Sequence, residues 1–403
     1  MKLSKSYYLC SERKNPVLIR NLLKNLLFQV NLLVALGLLF SYTAPYLSPA
    51  VFWPSGIVGL LYPFLLIANI LFVLLWLFRR NAIYATFSLI VILTGWPILQ
   101  TWFAFNLFAP SASSAASSAQ HSVKVMSYNV RNFDLYSWEK NIETRNLMIK
   151  LIESENPDII AFQDFFTQDD SEFDNIALLT QQTGLVHYYF DNTLTLRECD
   201  RWGAAIFSKF PLSNLQHIKF EDARTNTVAI ADALVDGQTI RVFSAHLQSN
   251  FLAKKDIRYV SELIEQKDDK AAPKKQNSMD RLNEHVKSLW SIVSKLRNGL
   301  QRRGIQANQL AQAIEQSPFP VVVCGDFNDT PVSYTYKKVA ALPRLRDAFL
   351  CLGLGPGNTY HGLSPFTFRI DYIFADHFFK VEKFDIIYKK YSDHYPVMSR
   401  IEW

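Results

Sequence analysis

The chain has 403 residues, enough for more than one folding unit, since a domain typically takes about 100–200. Its net charge of +6 is unevenly spread: residues 1–122 hold eight basic side chains against one acid, Glu12, a net of +7, which leaves the remainder near −1. A near-neutral remainder argues against tight nonspecific binding to duplex DNA, which needs many cationic phosphate contacts. Four cysteines, Cys10, Cys199, Cys324 and Cys351, lack CxxC spacing and form no zinc pattern. Cys324 falls in an apolar run and is expected to be buried; Cys199 and Cys351 could pair outside the cytoplasm.

The first 108 residues read as a membrane anchor. No charged residue occurs between Lys24 and Arg79, nor from Asn81 to Ser122. Three apolar runs, about 17–40, 56–78 and 82–105, approach the roughly 20 residues needed to cross a bilayer as a helix. Tyr, Trp and Pro gather between them (Tyr42, Pro45, Tyr46, Pro49, Trp53, Pro54). The N-terminus is basic, the loop Tyr42–Ser55 is uncharged, and Arg79-Arg80 separates the second and third runs. Basic loops stay cytoplasmic. The expectation is therefore a multi-pass inner-membrane protein, with a cytoplasmic N-terminus, three transmembrane helices and an extracytoplasmic C-terminal part. The lipid bilayer is the first expected partner, and no feature calls for an obligate protein partner.

Residues 109–121, rich in Ser and Ala, read as a tether with nothing to pack. From 122 to 403 strands alternate with helices. Strands are expected at Val123–Asn129, Ile159–Gln163, Ala204–Ser208, Thr227–Val235, Gln238–Ser244, Val321–Cys324, Asp371–Ala375 and Pro396–Ile401, with a helix at Asn141–Ser154. Asp236-Gly237 between two β-rich runs signals a hairpin. Residues about 251–316 form a charged, mostly helical insert. Its basic residues Lys254, Lys255, Lys274, Lys275, Arg302 and Arg303 could touch an anionic surface, but a solvated helical pair laced with charges is the preferred reading.

Six short segments put Asn, Asp or His at the end of an apolar strand: Ser127-Tyr128-Asn129, Phe162-Gln163-Asp164, Ser244-Ala245-His246, Gly325-Asp326-Phe327-Asn328-Asp329, Arg369-Ile370-Asp371 and Ser392-Asp393-His394. Alone, each reads as a turn former or a helix cap. Together they place oxygen ligands and two histidines where open α/β folds bind ligands. Phosphate ester hydrolysis needs a cation against the developing phosphoryl charge, a group that activates water and a donor to the leaving oxygen. Carboxylates and an amide oxygen suit Mg²⁺ or Mn²⁺.

The order and wording of these motifs resemble the endonuclease/exonuclease/phosphatase superfamily, from about Val123 to Ile401. The specific parts are Cys324-Gly325-Asp326-Phe327-Asn328-Asp329-Thr330-Pro331, Phe368-Arg369-Ile370-Asp371-Tyr372-Ile373 and Ser392-Asp393-His394, with Gly203-Ala204-Ala205-Ile206-Phe207-Ser208-Lys209 as a core strand. The resemblance implies a four-layered α/β sandwich, two packed mixed sheets flanked by helices. It also implies a metal-dependent hydrolase of phosphodiester or phosphomonoester bonds using Mg²⁺ or Mn²⁺. By position, Asn129, Asp164 and Asp393 would serve the metal. Asp326 would activate water or stabilise the transition state, and Asn328 and His246 would contact the phosphate. His394, oriented by Asp371, would be the second imidazole. One departure stands out: the family usually has Gln-Glu where this chain has Gln163-Asp164. The substrate stays open between nucleic acid, a phospholipid head group and a small phosphoester. A catalytically impaired relative kept as a binding or scaffolding module is the alternative, with Asp164 as its support.

Overall fold

The computed structural model describes residues 16–106, 121–135, 142–221, 224–250, 278–363 and 366–403. The expected tether at 109–120 and residues 251–277 of the insert, with Lys254, Lys255, Lys274 and Lys275, lie outside them, as does Cys10. The chain divides into two compact units, Met1–Phe40 with Leu61–Trp96, and Ser41–Leu60 with Pro97–Trp403.

The first unit is built from apolar helices. α1 (Pro16–Ser41) contains Arg20–Ser41, which is long and apolar enough to cross a membrane. The other two runs, read from sequence as continuous helices over 56–78 and 82–105, are each broken. One gives α2 (Trp53–Leu60), which belongs to the second unit, and α3 (Tyr62–Phe78); the other gives α4 (Ala82–Thr94) and α5 (Trp96–Trp102), which but for Trp96 belongs to the second unit. Pro63 lies in the first turn of α3, and Gly95 with Pro97 marks the second break. Proline lacks the N–H that a continuing helix would use and clashes with the carbonyl four residues back. Within the unit, fully buried Asn31 joins three helices. It donates to Ser88 Oγ at 2.8 Å, and its Oδ1 accepts from Trp76 Nε1 at 2.8 Å.

The second unit holds two six-stranded mixed sheets. Its strands are β1 (Ser122–Asn129), β2 (Ile159–Gln168), β3 (His187–Leu196), β4 (Asp200–Ser208), β5 (Leu212–Lys219), β6 (Thr227–Val235), β7 (Gln238–His246), β8 (Val321–Asp326), β9 (Leu345–Asp347), β10 (Asp371–Asp376), β11 (Lys380–Ile386) and β12 (Val397–Glu402). One sheet runs β9-β10-β8-β7-β6-β5, the other β11-β12-β1-β2-β4-β3. Each has a single parallel pair, β7 with β8 and β1 with β2. Asp236 and Gly237 both adopt positive φ, 48° and 84°, as the tight β6–β7 hairpin requires.

Side chains alternate across a strand. Val123, Val125, Ile159, Ala161, Val242, Val322, Cys324 and Ile373 therefore face the other sheet and form the central core. The residues between them pack outward. Phe243, Val321, Val323 and Phe374 meet the helices α8 (Ser278–Glu315) and α9 (Tyr334–Ala340), through Leu310, Ile314 and Tyr336. Met126, Ile160, Phe162 and Phe207 meet α6 (Ile142–Glu155) and α7 (Asn175–Gln182), through Met148, Ile152 and Leu179. This is the α/β/β/α layering of the expected sandwich.

Two glycines are set by close approach. A Cβ on Gly203 would lie 1.8 Å from the Asp191 carbonyl oxygen, and one on Gly325 would lie 2.1 Å from that of Ala245. Among the described residues the insert contributes α8, 38 residues long; the rest of it, 251–277, lies outside them. Arg303, counted in the sequence as a candidate surface cation, is fully buried. The three described cysteines are free, so Cys199 and Cys351 are unpaired with each other.

Candidate active site

The inner rows of both sheets end in polar residues. β1 runs Val123, Val125, Ser127, Asn129 on its inner face; β7 runs Val242, Ser244, His246; β8 runs Val322, Cys324, Asp326. β7 and β8 are parallel, so both finish at one edge, where His246 registers with Asp326. β10 is antiparallel to β8 and contributes its first residue, Asp371, opposite Asp326. His246, Asp326 and Asp371 thus stand at one level on three adjacent strands. On the facing sheet Asn129 registers with Gln163 at the end of the parallel pair.

Asp326 and Asp371 are buried like charges on paired strands, an arrangement that is unfavourable unless compensated. His394 supplies the compensation. Its Nδ1 lies 3.0 and 3.1 Å from the Asp371 oxygens, and its Nε2 lies 3.7 Å from Asp326 Oδ2. A carboxylate only accepts, so Nδ1 carries the proton towards Asp371. Burial alone would lower the His394 imidazole; Asp371 and Asp326 outweigh it and raise it to about 10. Burial pushes the Asp326 carboxyl up to about 6, against the lowering effect of His394 and with a further rise from Asp371. Three hydrogen bonds hold that carboxylate: Asn129 Nδ2 at 2.9 Å, Asn328 Nδ2 at 3.1 Å and the Asn328 amide at 2.7 Å.

His246 is 4% exposed, and its Nδ1 has no hydrogen-bond partner; the nearest acid is Asp164, 3.5 Å away. Asp164 sits at a bulge in β2 with φ 47° and a partly exposed carboxylate. Asp393 lies 3.7 Å from Arg131 Nε and 4.0 Å from His394 Nε2. The sequence assigns the metal to Asn129, Asp164 and Asp393. Among the described His, Cys, Asp and Glu side chains, ligand atoms of Asp326, Asp371 and His394 lie within 4.8 Å of one another. A protonated His394 bonded to Asp371 is a poor ligand, since ligating imidazole must be neutral. The oxygens of Asp164 and Asn129 match the preference of a hard cation.

Several contacts had no sequence signal. The Thr359 hydroxyl accepts from the amides of Ile370 and Asp371, both at 3.1 Å, fixing the start of β10. The Tyr360 ring lies 4.8 Å from that of His394, and Ser392 Oγ donates to the Asn129 carbonyl at 2.8 Å. Burial pushes the Tyr360 hydroxyl well up, with Asp393 and Asp326 adding to the rise, so it stays a neutral donor. Each contact is made by the fold between distant segments. Asp329, by contrast, was visible inside the Gly325–Asp329 motif, and its carboxylate receives Arg303 Nε and Thr335 Oγ1.

The family model described as Endonuclease/Exonuclease/phosphatase family matches residues 126–394, and one described as Domain of unknown function (DUF8431) matches residues 24–102. No curated protein matches the chain. Among solved structures, the humanized D. rerio TDP2 is 16% identical, with a TM-score of 0.47 over 70% of this chain and 99% of that one. The human Nocturnin catalytic domain with bound sulfate is 18% identical, with a TM-score of 0.45 over 70% and 93%. A family protein from Leptotrichia buccalis is 16% identical, with a TM-score of 0.46 over 70% and 100%. The motifs that frame the site, from Ser127 to His394, fall inside the first match, and the chain belongs to the Endonuclease/Exonuclease/phosphatase family, whose enzymes are generally phosphoester hydrolases that use divalent metals.

Proposed function

We propose that the chain is a membrane-anchored, divalent-metal-dependent phosphoesterase. The observation that carries this reading is the level row of His246, Asp326 and Asp371, closed by His394 bonded to Asp371. Asp326, raised towards neutrality, is suited to take a proton from an attacking water, because a base works best near the operating pH. His394, held protonated by Asp371, donates from Nε2 to a phosphoryl or leaving oxygen. Asn328 and Asn129 hold the Asp326 carboxylate in one orientation. His246, whose buried Nδ1 has no hydrogen-bond partner, stands level with Asp326 and would contact the phosphate. Asp164 and Asn129, with Asp393 at the margin, would hold Mg²⁺ or Mn²⁺; the cation's contribution when bound is to neutralise charge on the phosphoryl oxygens.

The decisive assay is hydrolysis of bis(p-nitrophenyl) phosphate by the purified full chain. Activity should vanish with EDTA, return with Mg²⁺ or Mn²⁺, and fall about 10²- to 10⁴-fold in His394→Ala. Metal-independent turnover, or none under any metal, would remove the reading. For the anchor, we propose that both broken helix pairs complete spans two and three, which puts the catalytic part outside the cytoplasm. The basic flanks and uncharged loop support this orientation. A C-terminal reporter that works only in the cytoplasm should stay silent.

A further inference from the structure

One side of α8 is covered towards its C-terminal end and open towards its N-terminal end. Val286, Trp290, Val293, Arg297, Leu300 and Gly304 follow one another at helical spacing and so share that side. Its covered part meets the segment Ser41–Leu60. A Cβ on Gly304 would lie 3.2 Å from Pro49, Leu300 abuts Gly56, and the Arg297 guanidinium lies over the Trp53 ring, 5.7 Å from its centroid. Beyond Arg297 the same side carries apolar groups in the open: Val286 and the adjoining Leu289 are exposed, and Trp290 is 67% exposed.

The segment that covers the rest is itself open and apolar. Tyr46, Leu47 and Phe52 are exposed, and Val51 is 87% exposed. Basic side chains stand among these groups. Lys337 lies 5.8 Å over the Tyr46 ring, and its neighbour Lys338, Arg297 and Lys287 are exposed. Single exposed apolar residues need no explanation, but two such stretches joined by the Trp53–Arg297 contact do. Aliphatic, Trp and Tyr side chains set among Lys and Arg are the composition of a surface that lies in the head-group layer of a bilayer.

The path of the chain favours the bilayer as the occupant. Ser41 ends the membrane-length stretch Arg20–Ser41 and opens the segment that reaches Pro49. Residues 41 to 49 can span at most about 30 Å. Turns closed by the Leu47 amide on the Thr43 carbonyl and the Phe52 amide on the Ser48 carbonyl shorten that reach. Gly304, against Pro49, is thereby tethered close to the point where α1 would leave the bilayer.

We propose that the open half of this α8 side, together with Tyr46, Val51 and Phe52, rests on the bilayer surface, with Lys287, Arg297 and Lys338 on anionic head groups. The proposal rests on the membrane-anchored reading, and it adds a second, peripheral contact that holds the catalytic unit against the surface.

The test uses nitroxide labels on the full chain in nanodiscs of phosphatidylcholine with phosphatidylglycerol. Cys10, Cys199 and Cys351 are changed to Ser; Cys324 is fully buried. One label replaces Val286; another replaces Glu284, two residues away and so on the opposite side of α8. At 286, collisions with oxygen, which concentrates in lipid, should exceed those with a water-soluble nickel chelate; at 284 the order should reverse. Trp290→Asp should bring 286 to the pattern of 284. An excess of nickel collisions at 286 would overturn the proposal. So would few collisions with either reagent, the mark of a protein cover such as a second copy or residues 251–277. In discs of phosphatidylcholine alone the oxygen excess should shrink; an equal excess would overturn the role given to the basic residues. Alkaline carbonate washing of membranes holding the full chain tests the anchor separately. A retained chain with a water-facing label at 286 sinks the docking alone, and a released chain sinks the anchored reading.

Discussion

Asp326 and His394 pull each other's protonation in opposite directions, and Asp371 decides the outcome. It raises both groups, His394 to about 10 and Asp326, together with burial, to about 6. Activity that needs Asp326 ionised and His394 protonated should rise through about pH 6 and fall through about pH 10. Asp371→Asn removes a negative charge beside both groups, so both limbs of the kcat/KM profile should move to lower pH. His394→Ala should cost about 10²- to 10⁴-fold in kcat, the usual worth of a positioned acid or base. An unmoved profile in Asp371→Asn would separate Asp371 from the proton chemistry. Asp164 poses a different question. Its φ of 47° is a conformation that Asp tolerates better than Glu, which gives a backbone reason for the shorter residue. Its shorter reach should favour Mn²⁺ over Mg²⁺, since Mg²⁺ demands near-ideal octahedral geometry. Asp164→Glu should narrow that preference, and Asp164→Ala should lose most activity at low metal and recover part at high metal. Identical metal titrations in all three proteins would take Asp164 out of the site. The residues that end apolar strands were legible in sequence because each motif is contiguous. Thr359, Tyr360 and Arg131 were not, because their roles arise from contacts across the fold.

At the scale of elements, the inner strands were readable and the edges were not. β1, β2, β6, β7, β8, β10 and β12 are apolar runs because both faces are covered. β5 is exposed along nearly all its length, and β3 is only partly buried, so neither carries an apolar signal. α8 misled for the opposite reason. Leu300, Arg303, Ala307, Leu310, Ala311 and Ile314 make one buried stripe at helical spacing, and an arginine occupies it. Its guanidinium donates to Asp329, to the Gln248 carbonyl and to Asn250 Oδ1, tying the helix to the loop that carries Asn328. Removing one partner of a buried ion pair costs about 3–5 kcal/mol. Arg303→Ala should destabilise by that order in denaturant unfolding. Arg303→Lys should recover little, because an ammonium lacks the planar fork. The exposed neighbour provides the contrast: Arg302→Ala should cost about 1 kcal/mol or less. Equal effects at the two arginines would mean that the buried network adds nothing.

At the scale of the whole molecule, the sequence suggests a phosphoesterase beginning at residue 122, after a separate anchor. The compact unit is wider, because it includes Ser41–Leu60 and Pro97–Asn106. Nothing in the composition of those apolar segments tells packing against protein from packing against lipid, so the boundary was not visible. The contacts are specific. Arg369, buried two residues before Asp371, donates to the Thr101 carbonyl at 2.5 Å. Asn106 Nδ2 donates to the carbonyls of Leu350 and Gly353, both at 3.0 Å, and Ala104 registers with Gly355. Gly56 lies against Leu300 of α8, and a Cβ on Gly59 would fall 2.5 Å from the Val332 carbonyl oxygen. A fragment of residues 121–403 would lose all of these and leave Arg369 with an unanswered donor. Three hydrogen bonds at roughly 1 kcal/mol each give about 3 kcal/mol before the packing of α2 is counted. For a unit of this size, that corresponds to a midpoint lower by about 6–12 °C. The fragment should therefore unfold well below the full chain in a thermal scan of the catalytic unit, followed by near-ultraviolet circular dichroism. In the full chain, Asn106→Ala should reproduce part of the loss. Matching midpoints for fragment and full chain would show that Ser41–Leu60 and Pro97–Asn106 rest on the sandwich without supporting it.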